Sequence, residues 1–157
     1  LHDKLYCSNV GDSRAVVGRK DSKGNWVVQP ISNDHKPCHQ GEADRIIRCK
    51  GRIEKFKDAD GTLSFDIGNP VGPLRVWLKD SNGPGLAMTR SFGDLVAASV
   101  GVCWEPEIIG TFYFNQEHTM TQQDRIILIA SDGVWEFLEN DDIVGKLVPY
   151  YEANKIE

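Results

Sequence analysis

The chain has 157 residues, of which 40% are hydrophobic and 26% are charged, and its formal net charge is -5. This length and composition are typical of one compact globular domain and exclude a disordered chain. No apolar run approaches the roughly eighteen residues that cross a bilayer, so a membrane span is not predicted. No segment is dense in Lys and Arg, so nucleic-acid binding is not predicted either. The net negative charge is compatible with a cation site.

The first third of the chain consists mainly of predicted strands. β-branched runs separated by Gly, Asp and Asn predict strands at KLYCSNV, RAVVGRK and NWVVQPI. In the next segment Ala43, Ile46 and Ile47 have helical spacing and Gly51 is a stop signal, so a helix is predicted there. The stretch RIEKF is predicted to be the strand that follows this helix.

Turn-forming residues are concentrated in residues 57–84, which predicts a long surface excursion. Beyond it, GLAMTRSFGDLVAASVGV is expected to contain a short strand and a short helix, and EIIGTFYF and RIILIAS are predicted strands. Because Ile126–Ser131 is apolar or small throughout, the last strand is expected to be buried on both faces. The stretch WEFLENDDIVGKLVPYY predicts a helix that Pro149 should end or kink.

No repeat or Gly/Ser linker divides the sequence, so residues 1–157 are expected to form a single unit. Strands predominate, and the helices occur singly rather than in regular alternation with strands. This order favours an α+β sandwich over a parallel, doubly wound sheet.

Carboxylates at strand ends are the strongest candidates for chemistry. Asp12 lies between two predicted strands, Asp132 ends another, and Asp94 lies in the stretch SFGD. Glu136 follows Asp132 at the spacing of one helical turn. Magnesium and manganese prefer oxygen ligands, so convergent carboxylates could bind such an ion, but each Asp could equally be an ordinary turn residue.

Other chemistries are less well supported. The stretch KDADGTLSFD suggests a calcium loop, but Phe56 and Ile67 stand where an EF-hand needs acidic ligands. A zinc site is poorly supported, because its four candidate ligands do not have a known zinc-site spacing: His35, Cys38, His39 and Cys49. A nucleophile elbow and a phosphate-binding glycine loop are both absent from the sequence.

Cysteine usage and the chain ends bear on cellular context. The four cysteines are scattered without a Cys-x-x-Cys pair, which predicts reduced thiols in an intracellular protein, cytoplasmic or nuclear. The chain opens on Leu1 and stops at YYEANKIE, within or just after a helical pattern. We expect it to be a segment of a longer chain.

Six motifs occur in a specific order: SNVGDSRAVV, NDHKPCHQGEADRI, GRI, RVWLKDSNGPGLAMTRSFGD, VGVCWEPEI and DRIILIASDGVWEFLENDDIV. Together they cover about Tyr6 to Val144. This ordered set resembles the metal-dependent serine/threonine protein phosphatases of type 2C.

The resemblance implies a fold and a reaction. The fold is a sandwich of two antiparallel β-sheets flanked by helices, with two or more Mg²⁺ or Mn²⁺ ions bound in the intact domain. A metal-activated water would hydrolyse phosphoserine or phosphothreonine in phosphoprotein substrates, without a protein nucleophile.

Residue roles also follow from the resemblance. Asp132 matches the aspartate that binds the metal pair and serves catalysis, and Asp12 matches a ligand of an additional metal site. Glu136 stands where many members carry a second Asp of that site, and Asp94 is expected near the site without an assigned role. Residues 51–84 correspond to the flap beside the cleft.

The family's upstream and downstream ligand motifs are missing from the chain. The resemblance therefore implies a partial catalytic domain that is inactive alone, and whose missing edge strands favour self-association. An alternative is an inactive, phosphatase-like regulatory or binding module.

Overall fold

The computed structural model describes residues 4–56, 72–109, 118–119 and 123–153. Their contacts form two compact units. The first unit combines Leu1–Asp34 with Glu107–Glu157, and the second is His35–Pro106. The second unit is thus inserted into the sequence of the first.

Strands outnumber helices in the described residues. In chain order the elements are β1 (Lys4–Leu5), β2 (Cys7–Asn9), β3 (Arg14–Lys20), β4 (Trp26–Pro30), α1 (Gln40–Arg48), β5 (Arg52–Lys55), β6 (Leu74–Trp77), β7 (Pro84–Leu86), α2 (Leu95–Ala98), β8 (Glu107–Ile109), β9 (His118–Thr119), β10 (Asp124–Ala130), α3 (Asp132–Trp135) and α4 (Asn140–Glu152). All strand pairs in the named sheets are antiparallel, and the predicted α+β class is confirmed.

The first unit is built around the sheet β10-β3-β4, beside the pairs β2-β8 and β1-β9. Side chains alternate between the two faces of β3, because successive residues of a strand point to opposite sides. On one face Ala15 and Val17 pack with Ile31, and on the other Val16 packs with Trp135 and Val144 of the two C-terminal helices. The sheet is therefore covered on both faces at β3.

The second unit combines the sheet β5-β6-β7 with α1 and α2. Its hydrophobic core consists of five buried side chains: Ile46, Val76, Ala97, Val100 and Val102. The α1 residue Ile46 belongs to this core, as the helical spacing in the sequence predicts, whereas Ile47 is 57% exposed.

A buried ion cluster joins α1 to the segment after β7. Glu42 accepts hydrogen bonds from Arg45 at 2.6 Å, from Arg90 at 2.7 Å and from the Thr89 hydroxyl at 2.5 Å. Burial alone would raise the pKa of Glu42, but the hydrogen bonds from Arg45, Arg90 and Thr89 outweigh it and hold this pKa well below its usual range. Arg45 also donates to the carbonyl oxygens of Thr89 at 2.8 Å and Gly101 at 2.9 Å, so the cluster links three chain segments.

Several element predictions are confirmed. RAVVGRK is β3, NWVVQPI contains β4, RIEKF contains β5, and the predicted helix is α1, which ends before Gly51. KLYCSNV forms two strands in different sheets rather than one. The predicted surface excursion over residues 57–84 is wrong at Leu74–Trp77, which forms the central strand of the second unit's sheet.

Two predictions for the C-terminal region are also wrong. β10 is not buried on both faces, because Ile127 and Ile129, which lie on the same face of the strand, are 48% and 73% exposed. The predicted helix over WEFLENDDIVGKLVPYY begins later than expected, because Glu139 starts α4 with a reciprocal capping box, whereas Trp135 is the last residue of the short helix α3. Of the two outcomes expected at Pro149, an end of the helix is wrong, because α4 continues to Glu152.

Some features lie beyond the described residues. The calcium-loop stretch, apart from Phe56, falls in residues 57–71, and the GTFYF part of the predicted strand EIIGTFYF falls in residues 110–117. None of the helices in the described ranges is long and apolar enough to cross a membrane.

Gly51 is tightly enclosed, and we expect Gly51→Ala to destabilise the second unit by about 1–3 kcal/mol. A Cβ at Gly51 would lie 2.7 Å from Ile46 Cγ2 and 3.0 Å from the Val100 carbonyl oxygen, so core atoms would have to shift. The matched control is Gly41→Ala in α1, where nothing lies within 4 Å of the added methyl group. Gly41→Ala should leave stability unchanged or raise it by up to about 1 kcal/mol. Urea unfolding of both variants measures the difference, and equal midpoints would contradict the prediction.

Candidate functional site

Two of the sequence-predicted carboxylates lie at the same end of the first unit's central sheet. The antiparallel ladder of β3 and β10 ends at the pair Arg14–Ala130. Asp12 precedes Arg14 by two residues, and Asp132 follows Ala130 by two residues. Because Arg14 and Ala130 lie opposite each other in antiparallel strands, the segments that carry Asp12 and Asp132 leave the sheet at the same end of the ladder.

Asp132 opens the single turn of α3. The extended Ser131 precedes it, and the N–H of Glu136 donates to the Asp132 carbonyl oxygen at 2.8 Å. The Asp132 Oδ1 accepts a hydrogen bond from the Gly133 N–H at 2.9 Å, and the side chain is half-buried. A carboxylate at a helix N-terminus is favoured by the unpaired backbone N–H groups there.

Asp12 sits in the turn that leads into β3. Gly11 precedes it with φ of 112°, a backbone conformation that glycine adopts without strain. The Asn9 side chain donates to the Gly11 carbonyl oxygen at 3.3 Å and to the Asn33 carbonyl oxygen at 2.8 Å. Asp12 itself is 7% exposed, so this carboxylate is held inside the first unit rather than displayed on a solvent turn.

The remaining two predicted residues are placed differently. Glu136 is exposed and lies one helical turn after Asp132, as the spacing predicts. Asp94 belongs to the second unit, where it precedes α2 in a left-handed conformation (φ 43°) and accepts a hydrogen bond from the Ser91 hydroxyl. The functional roles of all four carboxylates stay predictions.

Arg14 connects the elements around these carboxylates. Its Nε and Nη2 donate to the two carboxylate oxygens of Asp34, both at 2.9 Å. Its Nη1 donates to Asn140 Oδ1, at the first residue of α4, at 2.8 Å. The guanidinium also lies 5.2 Å from the ring centroid of Trp135. One side chain thus contacts the loop after β4, the end of α3 and the start of α4.

Trp135 completes this arrangement from the other side. Its indole Nε1 donates to the carbonyl oxygen of Ala130 at 2.8 Å, at the last residue of β10. Trp135 is therefore fixed both to the strand end that precedes Asp132 and to the guanidinium of Arg14.

The carboxylates of Asp12 and Asp132 are oxygen donors of the kind that a hard cation prefers. Within the part of the chain that the structure describes, no group of three or more His, Cys, Asp or Glu side chains is arranged to hold a metal ion.

Sequence reasoning missed Arg14 and the ion cluster of Glu42. Arg14 stands two residues after Asp12 and was visible only as part of a strand, while its partners Asp34 and Asn140 are distant in sequence. The Glu42–Arg45 pair has the i, i+3 helical spacing, which was a usable signal. The contacts to Thr89 and Arg90 left no local pattern.

Comparisons with known proteins agree with one another. The family model described as Protein phosphatase 2C matches residues 1–148. The chain is 39% identical over 140 residues to "Probable protein phosphatase 2C 1" of Arabidopsis thaliana, covering 89% of this chain and 26% of that protein. It is 38% identical over 145 residues to "Probable protein phosphatase 2C 64" of Oryza sativa subsp. japonica, covering 92% of this chain and 30% of that protein. The chain therefore spans about a quarter to a third of these curated relatives.

Solved structures share the fold. The serine-threonine phosphatase 2C of Toxoplasma gondii superimposes with a TM-score of 0.73 at 20% identity, over 96% of this chain and 44% of that one. A C. elegans sex determining protein superimposes with a TM-score of 0.63 at 21% identity, over 92% of this chain and 28% of that one. At these identities the likeness concerns the fold alone.

Proposed function

The chain belongs to the protein phosphatase 2C family, and from this premise we propose that it is part of a longer phosphatase that hydrolyses phosphoserine and phosphothreonine in proteins. The observation that carries the proposal is the match of the family model over residues 1–148. The two carboxylates at one end of the β3–β10 ladder support it, because they are the residue type that metal-dependent hydrolysis requires.

In this proposal Asp132 and Asp12 hold Mg²⁺ or Mn²⁺, and Glu136 contributes to the site from the following turn. When bound, the ions supply Lewis-acid chemistry that activates a water and neutralises charge on phosphoryl oxygens. The protein's part is positioning: β10 and α3 fix the backbone of Asp132, and burial restricts the rotamers of Asp12. Asp94 is proposed to lie near the complete site without an assigned step.

A second candidate is a phosphatase-like regulatory or binding module without catalytic activity. The observation that favours it is that the described residues contain no complete metal-ligand group. Under either candidate the proposed partners are phosphoproteins and the proposed location is intracellular, cytoplasmic or nuclear. The four cysteines are unpaired, which is compatible with a reducing compartment.

Phosphopeptide turnover separates the two candidates. The 157-residue chain and the longer protein that contains it should each be assayed with a phosphothreonine peptide, with Mn²⁺ and with EDTA. We expect Mn²⁺-dependent hydrolysis by the longer protein and none by the 157 residues alone. No hydrolysis by the longer protein would favour the regulatory module, and turnover by the 157 residues would refute the proposed inactivity.

Self-association is a further expectation for the 157-residue chain, because β10 has only β3 as a described neighbour and exposes Ile127 and Ile129 on its surface. We expect concentration-dependent oligomers in size-exclusion chromatography with light scattering. A lysine on this strand should block strand pairing, so Ile129→Lys should shift the chain towards monomer. The matched control Ile47→Lys changes an exposed isoleucine of α1 and should not shift the distribution. A wild-type chain that stays monomeric at high micromolar concentration would refute the expectation.

A further inference from the structure

We propose that Arg14 is a positioning residue that holds the Asp132 turn in the geometry required for cation binding. Arg14 is not itself a metal ligand, because a guanidinium is cationic and has only hydrogen-bond donors. Its role would be exerted through the elements that it contacts. The part of this inference that concerns cation binding rests on the proposed function, whereas the part that concerns the rigidity of the turn does not.

The first step of the argument is the position of Arg14. It forms the last pair of the β3–β10 ladder with Ala130, so it lies between the sheet and both carboxylate-bearing segments. Asp12 is two residues upstream on the same chain segment, and Asp132 is two residues downstream of the cross-strand partner. Arg14 is therefore near Asp12 in sequence, and it pairs across the sheet with the strand that leads to Asp132.

The second step concerns how α3 is fixed. A four-residue helix has too few internal hydrogen bonds to be stable alone, so contacts from outside must hold it. The hydrogen bond from Trp135 to Ala130 holds its end towards the sheet, and the Arg14 guanidinium lies against the same indole at 5.2 Å. Through Asn140, Arg14 also holds the start of α4, which bounds the connecting segment from the other side.

The third step concerns the rigidity of the guanidinium. Its two hydrogen bonds to Asp34 are the paired, fork-like contacts that only arginine can make, and they orient the planar group. Asp34 binds the edge of the guanidinium formed by Nε and Nη2, which leaves Nη1 to donate to Asn140. The planar face of the guanidinium is then free to contact the Trp135 ring. Lysine could keep the charge but could not make these contacts together.

Hydrogen exchange and Mn²⁺ binding test the proposal on the 157-residue chain. The variants are Arg14→Met, which removes all polar contacts, and Arg14→Lys, which keeps the charge. The matched control is Arg19→Met, because Arg19 lies on the same strand and pairs with Asp124 at 3.5 Å at the far end of the ladder. Backbone amide exchange is measured without metal, and the Mn²⁺ dissociation constant is measured by titration calorimetry.

In Arg14→Met we expect backbone amide exchange within residues 131–140 to become about tenfold faster, and we expect amide exchange in β4 and α1 to change less. We also expect the Mn²⁺ dissociation constant to rise by about tenfold, as for other residues that orient a metal ligand. Arg14→Lys should resemble Arg14→Met in both measurements, and Arg19→Met should change neither residues 131–140 nor Mn²⁺ affinity.

Three results would overturn the proposal. One is exchange in Arg14→Met that accelerates throughout the first unit, as general destabilisation would cause. Another is full rescue of exchange by Arg14→Lys, which would show that charge alone matters. The third is unchanged Mn²⁺ affinity in Arg14→Met despite faster local exchange. If the wild-type chain binds no Mn²⁺, the proposed cation site fails in this chain, and the metal-free exchange pattern alone decides whether Arg14 holds the turn.

Discussion

Asp132→Asn is expected to lower Mn²⁺-dependent hydrolysis of a phosphothreonine peptide by at least about 100-fold in the proposed longer phosphatase. The substitution keeps the volume of the side chain but replaces an anionic ligand with a neutral amide. The Gly133 N–H that now donates to Asp132 Oδ1 at 2.9 Å can still donate to the amide oxygen, so the backbone of α3 should be retained. The loss should therefore appear in activity and Mn²⁺ affinity rather than in the unfolding temperature.

The matched control for this prediction is Asp141→Asn, which removes the same charge from an exposed position in the first turn of α4. It should retain nearly full activity, with a stability change within about 0.5 kcal/mol. Equal loss of activity in the two variants would show that general acidity, and not the position of Asp132, matters. Full activity of Asp132→Asn would remove this residue from the proposed site.

The second large effect concerns stability. Glu42→Gln is expected to destabilise the second unit by about 3–5 kcal/mol, because it leaves the charges of two partly buried arginines without their counter-ion. The side chains of Arg45 and Arg90 are 22% and 17% exposed, so water replaces the lost carboxylate poorly. Urea unfolding followed by circular dichroism, with amide exchange in α1 as the local readout, measures the loss.

Asp44→Asn is the control for Glu42→Gln, since it neutralises an exposed carboxylate of the same helix, hydrogen bonded to Gln40 at 2.7 Å. Its effect should stay within about 0.5 kcal/mol. If the two variants were equally stable, the ion cluster would make no special contribution to the second unit.

The same cluster predicts a pH dependence. The hydrogen bonds that outweigh burial hold the pKa of folded Glu42 below its ordinary value of 4.5, so the unfolded chain takes up this proton first as the pH falls. The stabilisation is fully present above pH 4.5 and is lost as the pH falls through the depressed folded value. The stability difference between wild type and Glu42→Gln should therefore narrow steadily below about pH 4.5. A difference that is constant from pH 7 to pH 3 would contradict this.

Local patterns predicted much of the fold. β3 has the β-branched pair Val16–Val17 between two turns, and α1 has helical spacing with a glycine stop, so in both cases local preference and tertiary packing agree. The failure at Leu74–Trp77 has the opposite cause: the surrounding glycines and prolines indicate turns, but Val76 and Trp77 are buried by distant partners.

The exposed face of β10 could not be predicted from its own residues. A continuous apolar run does not state which faces of a strand other elements cover, and Ile127 and Ile129 lie on an exposed face of β10. For the candidate site, the positions of Asp12 and Asp132 at strand ends could be anticipated. The contacts of Arg14 with Asp34 and Asn140 could not, because they depend on how separate segments pack.

The insertion of the second unit into the first has a consequence for synthesis on the ribosome. β3 and β4 can pair as soon as both have emerged, because a short turn joins them. The other edge of β3 must wait for β10, which is made only after the whole of His35–Pro106. Until then an open edge and the apolar side chains around Val16 are exposed to other nascent chains. Asp132 directly follows β10 in the chain. The segments that carry Asp12 and Asp132 can therefore come together only after β10 has been synthesised.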